Sequence, residues 1–574
     1  MPHVITQQCC NDATCVSVCP VNCIHPTPDE PGYARAEMLH IDPATCIDCG
    51  ACTDVDVCPV DAIVADFALT PATARYAELN AHFFSDSAHT QYEHDRVVRT
   101  RPDHNGRSVG PLRVAIVGSG PSACYAADEL TTTPGLDVEV HIFDRLPTPW
   151  GLVRYGVAPD HQHTKSATRT FERMADRPGV FFHLGVEIGR HLTHDELRAH
   201  HHAVIYAVGA PTDKRLGIPG EDLPGSVSGT DLVGWYNGHP DHADHVFDLS
   251  AERAVILGNG NVALDIARIL TRDVKELART DIADHALSAL ARSGIREVVV
   301  VGRRDPAHAA YTTPELLGLA SLTTEVELAV DWPSAMEVKH PQNEIAQRAL
   351  SPTTPKAQIA DELALQPASG AMRRIVLRYQ SSPAEILGDD RVQGIRLRRN
   401  EMVVDDNGHS GIRSTKITDV LECGLVVRSV GYRGRPVPGL PFDIERGIIP
   451  NRNGQVVEPG TGEDRPGVYV TGWIKRGPSG VIGTNKQCSI ETVTCLLDDH
   501  ANGRLTPPAA DSRSLLDLVR KRSPEAIDYE GWQRIDKLEQ TMGKPAGRPR
   551  VKIVDVNGMV EAASPTSSYG NQYL

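Results

Sequence analysis

Long hydrophobic runs are missing from this chain. No apolar stretch in its 574 residues approaches the ~18 needed for a membrane span. The opening Met-Pro-His-Val-Ile-Thr-Gln-Gln-Cys-Cys has neither the basic flank nor the apolar core of a secretory signal. A cytoplasmic protein without a membrane span is the expectation. Basic charge is also in short supply: 58 Lys and Arg face 74 Asp and Glu, leaving a formal charge of −16. Nucleic-acid partners prefer a basic face, so that class is disfavoured. Cysteine is almost absent beyond residue 58, where only Cys124, Cys423, Cys488 and Cys495 occur.

What is there is unevenly placed. Nine of the 13 cysteines fall at positions 9, 10, 15, 19, 23, 46, 49, 52 and 58. Residues 1–66 also hold ten acids against the single Arg35, a net −9 from side chains. Clustered thiols in a cytosolic chain read as metal ligands before disulfides. So short a segment needs such staples in place of a large core. Cys46-Ile-Asp-Cys49-Gly-Ala-Cys52 repeats Cys-x-x-Cys, and Cys19-Pro20 and Cys58-Pro59 each supply a Cys-Pro. This pattern resembles bacterial-type ferredoxins, in which the last cysteine of each run ligates the neighbouring cluster. It implies that Cys46, Cys49, Cys52 and Cys19 hold one 4Fe–4S cluster. The second cluster falls to Cys58, Cys15 and one or both of Cys9 and Cys10. The first half lacks the middle pair of a full Cys-x-x-Cys-x-x-Cys, as in seven-iron ferredoxins, so this cluster is expected as 3Fe–4S or 4Fe–4S. Five residues separate Cys52 from Cys58 where three are usual. A structural zinc site would want two Cys-x-x-Cys pairs.

Beyond residue 110, β-branched runs alternate with helical stretches, the pattern of parallel α/β construction. Residues 114–123, Val-Ala-Ile-Val-Gly118-Ser-Gly120-Pro-Ser122-Ala, read as strand, glycine turn and helix start. Such a turn lets the backbone approach a pyrophosphate and offers it the helix amides. A second strand ends at Asp144, where an acid can bond ribose hydroxyls. The pattern repeats at 254–263, with Gly258, Asn259, Gly260, Asn261 and Val262. Its following strand ends in Arg303-Arg304 instead of an acid. Two guanidiniums suit a 2′-phosphate, so NADP is expected over NAD. The long gap before them predicts an inserted helical segment over 271–296.

Residues 146–161, Leu-Pro-Thr-Pro-Trp-Gly-Leu-Val-Arg-Tyr-Gly-Val-Ala-Pro-Asp-His, resemble the adrenodoxin reductase type of ferredoxin–NADP reductase, and the likeness extends over about 111–500. It implies FAD in the first fold, touched by Ser122, Asp144, Leu152 and Ile188. Gly480, Val481 and Ile482 would open a helix toward the flavin, with Trp473 packed on it. Asp160, His161 and Glu315 would lie by the nicotinamide as the catalytic set, orienting it more than exchanging protons.

The expected fold class is therefore an α+β ferredoxin-like N-terminal domain plus an α/β double dinucleotide-binding reductase. The divisions are 1–66 ferredoxin domain, 67–110 linker with a short helix over 72–84, 111–211 FAD-binding, 212–425 NADP-binding, and 426–574 FAD-binding again with a tail. A helix is predicted near 515–521, the chain is expected to end in a frayed polar Ser/Gly stretch, and 336–372 reads as irregular. The implied activity carries electrons from NADPH through FAD to iron–sulfur clusters, and on to a one-electron acceptor such as a ferredoxin or a cytochrome P450 system. The alternative is an electron-feeding subunit of a larger complex, like the reductase portions of glutamate synthase or dihydropyrimidine dehydrogenase. Docking of the acidic first domain calls for a basic patch, expected from Arg154, Lys475 and Arg476.

Overall fold

The structure, a computed structural model, describes residues 2–85, 110–322, 326–332, 354–367, 369–404 and 410–565. One unit comprises Met1–Val157, His161–Thr212 and Tyr432–Leu574, and the other Ala158–Asp160 and Asp213–Gly431. Among the described residues no helix is long and apolar enough to cross a membrane.

The N-terminal part of the first unit is built on two antiparallel pairs, His3–Ile5 with Ile63–Ala65 and Ile24–His25 with His40–Ile41. Strands this short do not hold alone. The helix Arg75–Ser85 braces them. Its buried Asn80 donates to the Ile5 carbonyl at 2.9 Å and accepts from the Ile5 and Ile41 amides at 3.2 and 2.9 Å. That helix belongs to the N-terminal body, so the expected boundary at residue 66 moves to at least residue 85. The rest of the expected linker, 86–109, lies outside the described residues.

The larger part of this unit is a seven-stranded sheet in the order Asn451–Arg452, Gln455–Val457, Asp464–Val470, Ala203–Tyr206, Leu112–Val117, Val138–Asp144, Val180–Leu184. Its last five strands are parallel. They are covered on both faces, which explains why Val114, Ala115 and Ile116 in succession are fully buried. The helix Pro121–Thr132 contributes Ala123 to Ala127 and Leu130 to one core, which Val493 and Leu496 of the helix Thr484–Ala501 complete.

The expected helix is present as Ser512–Arg522, with Leu515 and Val519 in the core on the other sheet face. Two further helices, Tyr529–Gly543 and Val556–Ala563, place Trp532, Ile535 and Met559 in the same core as Leu112 and Val114. The polar end, 566–574, lies outside the described residues.

The second unit has six parallel strands in the order Ser226–Ser228, Leu425–Arg428, Arg253–Leu257, Glu297–Val301, Arg374–Arg378, Glu327–Asp331. An antiparallel sheet of Ser381–Leu387, Gly394–Val404 and Ser410–Glu422 accompanies it. Leu425–Arg428 pairs beside Arg253–Leu257, which carries this unit on to Gly431 in place of the expected end at 425. The insert over 271–296 is helical as expected, with Val274–Leu277 and Asp284–Leu290. The region expected to be irregular contains the helix Pro355–Ala364, while 333–353 and 368 lie outside the described residues.

Candidate functional site

Both glycine turns adopt a shape that only glycine takes easily. Gly118 has φ +103°, and a Cβ there would come 2.5 Å from the Ala207 carbonyl oxygen. A Cβ on Gly120 would meet nothing closer than Gly151 Cα at 3.9 Å. The turn is therefore tight behind and open in front, as a cradle for a pyrophosphate must be. The helix Pro121–Thr132 begins there with no side-chain cap, leaving its first amides available. Asp144 closes the turn: one carboxylate oxygen accepts from the Ser119 amide and hydroxyl at 2.9 and 2.6 Å, the other from the Leu146 amide at 2.9 Å. Burial pushes its carboxyl up, and these donors offset part of that.

The chain returns to this turn late. Ser122 Oγ bonds Asn485 Oδ1 at 2.9 Å, and Ser489 Oγ donates to the Ser122 carbonyl at 2.8 Å. Gly480, Val481 and Ile482 form a turn before the helix, which starts at Thr484 instead of at Gly480 as expected. Asn485 Nδ2 donates to the carbonyls of Val481 and Ile482 at 3.3 and 3.0 Å. Beside it, Arg476 bonds Ser479 O and Asn485 Oδ1, while its Nε and Nη1 are buried without a partner. Such donors, unpartnered among the described residues, could take an anionic group. Trp473 is half-buried, donates to Ser479 O at 3.1 Å and lies 5.3 Å from the Tyr432 ring. Leu152 is largely exposed on its short helix, whereas Ile188 packs against the core around Val186 and Leu192.

In the second unit Gly258 has φ +109° and no room for a Cβ beside Ser429 O, while a Cβ on Gly260 would meet nothing within 4 Å. The helix Asn261–Thr271 again starts without a side-chain cap. The Thr312 amide donates to Asn261 Oδ1 at 2.8 Å, and Asn259 Nδ2 is buried next to Gly302 without a partner among the described residues. Arg303 and Arg304, at the end of Glu297–Val301, are exposed and make no ion pair among the described residues. Asp160 is 3% exposed and bound by Arg268 at 2.7 Å and Arg272 at 2.7 Å. Arg268 also faces Asp265 at 2.6 Å and Glu315 at 3.8 Å. Asp160 and Glu315 thus share one arginine, and His161 precedes the helix Gln162–Lys165 of the first unit.

The family of pyridine nucleotide-disulphide oxidoreductases matches residues 112–307. A probable ferredoxin/ferredoxin–NADP reductase of Mycobacterium tuberculosis is 50% identical over 579 residues, covering 98% of this chain and 95% of that protein. The NADPH-ferredoxin reductase FprA of the same organism is 46% identical and covers 78% of this chain and 98% of its own. The structure of FprA in complex with NADPH superposes with a TM-score of 0.72 at 44% identity, covering 79% of this chain and 99% of that one. The chain belongs to the ferredoxin/ferredoxin–NADP reductase family.

In this reductase the N-terminal thiols fall into two groups. Cys9, Cys10, Cys15 and Cys58 line one hollow together with Leu39 and Val60. Burial pushes the Cys9 thiol up to about 12 and those of Cys10 and Cys15 well above their ordinary value. Cys19, Cys46, Cys49 and Cys52 form the second group, each close enough to Cys52 to oppose its ionisation. Cys23 sits 3.4 Å from Cys19, and its thiol and amide both pull the Cys19 thiol down. No three cysteine sulfurs among the described residues lie within 4.8 Å of one another. Tetrahedral zinc would draw its thiolates to about 3.8 Å apart.

The expected basic patch is corrected in two of its three members. Arg154 is buried against Glu539, with bonds of 2.5 and 2.9 Å. Lys475 is buried and bonds Glu491, Thr492 and the Cys488 carbonyl. Charges that do meet the N-terminal body include Arg173, 2.5 Å from Asp56, Arg169, 3.8 Å from Asp61, and Lys486, 2.7 Å from Thr14 Oγ1. No local sequence signal marks these three, because their partners lie more than 100 residues away in the chain.

Proposed function

We propose that the reductase is a self-contained NADPH–ferredoxin oxidoreductase with a two-cluster ferredoxin domain fused in front. When bound, FAD takes a hydride from NADPH and releases electrons singly, and iron–sulfur clusters relay them outward. The observation that carries this reading is the coexistence, in one chain, of two open glycine turns and two groups of converging thiols. The Gly118–Gly120 turn and the amides after it hold the FAD pyrophosphate, with Ser122 and Asp144 beside it. Gly258, Asn259, Gly260, Asn261 and Val262 hold the NADP pyrophosphate, and Arg303 and Arg304 clasp its 2′-phosphate. Asp160 fixes Arg268, and Glu315 and His161 orient the nicotinamide. Gly480, Val481, Ile482 and Trp473 border the flavin, with Leu152 and Ile188 further along the FAD site.

Cys19, Cys46, Cys49 and Cys52 hold a 4Fe–4S cluster, and Cys9, Cys15 and Cys58 hold the other, 3Fe–4S unless Cys10 completes it. The final acceptor is a one-electron protein, a ferredoxin or a cytochrome P450 system, in the cytoplasm. Iron, sulfide, flavin and zinc analysis of the purified protein tests the cofactor set. Seven or eight irons with one FAD per chain is the expected result, by the cluster types of two-cluster ferredoxins. Zinc, or about four irons with a single paramagnetic species, would overturn it.

A further inference from the structure

The helix Thr484–Ala501 is preceded by Gly483, whose φ of −71° any residue adopts. Its backbone conformation therefore does not explain the glycine. Its neighbours do. The Gly483 amide donates to the Cys10 carbonyl at 2.7 Å, and a Cβ on Gly483 would overlap the Asp12 amide and the Asn11 carbonyl carbon. Three residues on, Lys486 Nζ donates to Thr14 Oγ1 at 2.7 Å. Residues 10–14 are thus pinned, backbone against backbone, to the segment following Gly480-Val481-Ile482. Buried Tyr33 holds the same loop from its other side, donating to the Asn11 carbonyl at 2.8 Å. The second thiol group is placed differently. Cys49 is exposed, and Ile47 beside it is 59% exposed.

We infer that Gly483 is a positioning residue that seats the Cys9/Cys10/Cys15/Cys58 site against the flavin loop. That site then receives each electron, and the Cys19/Cys46/Cys49/Cys52 site delivers it outward. The inference rests on the iron–sulfur reading of both sites. In the step itself the reduced flavin loses one electron and the iron–sulfur centre at the receiving site gains it. No bond is made or broken at the cysteines, and the flavin proton passes to water.

The test uses the full holoprotein and two readouts. Hydrogen exchange in the wild type should find the amides of residues 9–12 and 483 protected, and Gly483→Ala should speed exchange over 9–15 by roughly tenfold or more, as expected for a lost buried bond and a forced displacement. In freeze-quenched wild-type samples mixed with NADPH, the paramagnetic signal of the receiving site should change before that of the other site. Gly483→Ala should delay it by a similar factor, and Lys486→Ala should do so to a smaller extent. If Gly483→Ala does not fold, Lys486→Ala and the wild-type order of reduction decide the matter. Unchanged exchange and unchanged delay in the variants, or first reduction at the Cys19/Cys46/Cys49/Cys52 site, would overturn the inference. Iron and sulfide missing from the wild type would overturn the iron–sulfur reading instead, and the exchange arm would still report whether Gly483 seats the loop.

Discussion

The two glycine turns share one backbone design and differ in what stands at the end of the neighbouring strand. In the first unit that residue is Asp144, buried and already bonded to Ser119 and Leu146. In the second unit it is the pair Arg303 and Arg304, exposed and without an ion pair among the described residues. A turn with its acid locked in place is preorganised for a ligand that stays. A turn with two free guanidiniums gains its main electrostatic contact only when a phosphate arrives, which suits a ligand that comes and goes. Under the proposed assignment, the first turn would keep its cofactor and the second would exchange its nucleotide.

Four experiments would break or sharpen that contrast, and the largest effect belongs to the first turn. Gly120→Val fills the open side of the cradle, so the purified variant should lose its flavin absorbance and keep its iron. Retained flavin would place the FAD site elsewhere. Next in size is the second turn. Arg303→Ala with Arg304→Ala removes charge-assisted bonds worth ~1.5–3 kcal/mol each, so NADPH affinity should fall at least about a hundredfold while NADH use changes little. Equal losses for both nucleotides would refute the phosphate assignment.

Acid gives the third test. In the first unit His183 and His201 are buried, and burial holds both down to about 3. The unfolded chain protonates them below ~6.5, so it binds the additional protons. Stability is complete above that pH and falls as pH drops from 6.5 toward 3, by roughly 2 kcal/mol per group at pH 5. Heating followed by flavin fluorescence should show a lower midpoint at pH 5 than at pH 7, and an unchanged midpoint would contradict the neutral, buried state. The smallest effect is Ser119→Ala. Asp144 would keep the amides of Ser119 and Leu146, so about 1 kcal/mol is lost, read as a small shift in the same midpoint with flavin still bound.

What was legible in the sequence was local. Strand, glycine turn, helix and strand-end charge occupy some thirty consecutive residues in the first fold, and the thiol spacings lie within 58. Arg154 was misread because its partner Glu539 is 385 residues away, and nothing near Arg154 announces a buried carboxylate. Lys475 failed similarly, buried among Cys488, Glu491 and Thr492 on the far side of a turn. Asn80 was hidden in a stretch that reads as linker, because a polar residue bracing two short strands leaves no hydrophobic periodicity. Gly483 was missed for a related reason: its need for a missing side chain comes from residues 11 and 12, at the opposite end of the chain.

The order in which the parts of the chain can fold follows from the tail. Residues 213–431 are contiguous and can close their own sheet as soon as they emerge. The first unit cannot. Its core around Leu112 and Val114 needs Tyr469, Val493, Trp532 and Met559, and its buried Arg154 stays uncompensated until Glu539 appears. The middle of the chain can therefore complete its sheet before the seven-stranded sheet of the first unit closes. A messenger truncated between residues 431 and 539 would yield a nascent protein with a complete second unit and an open first sheet.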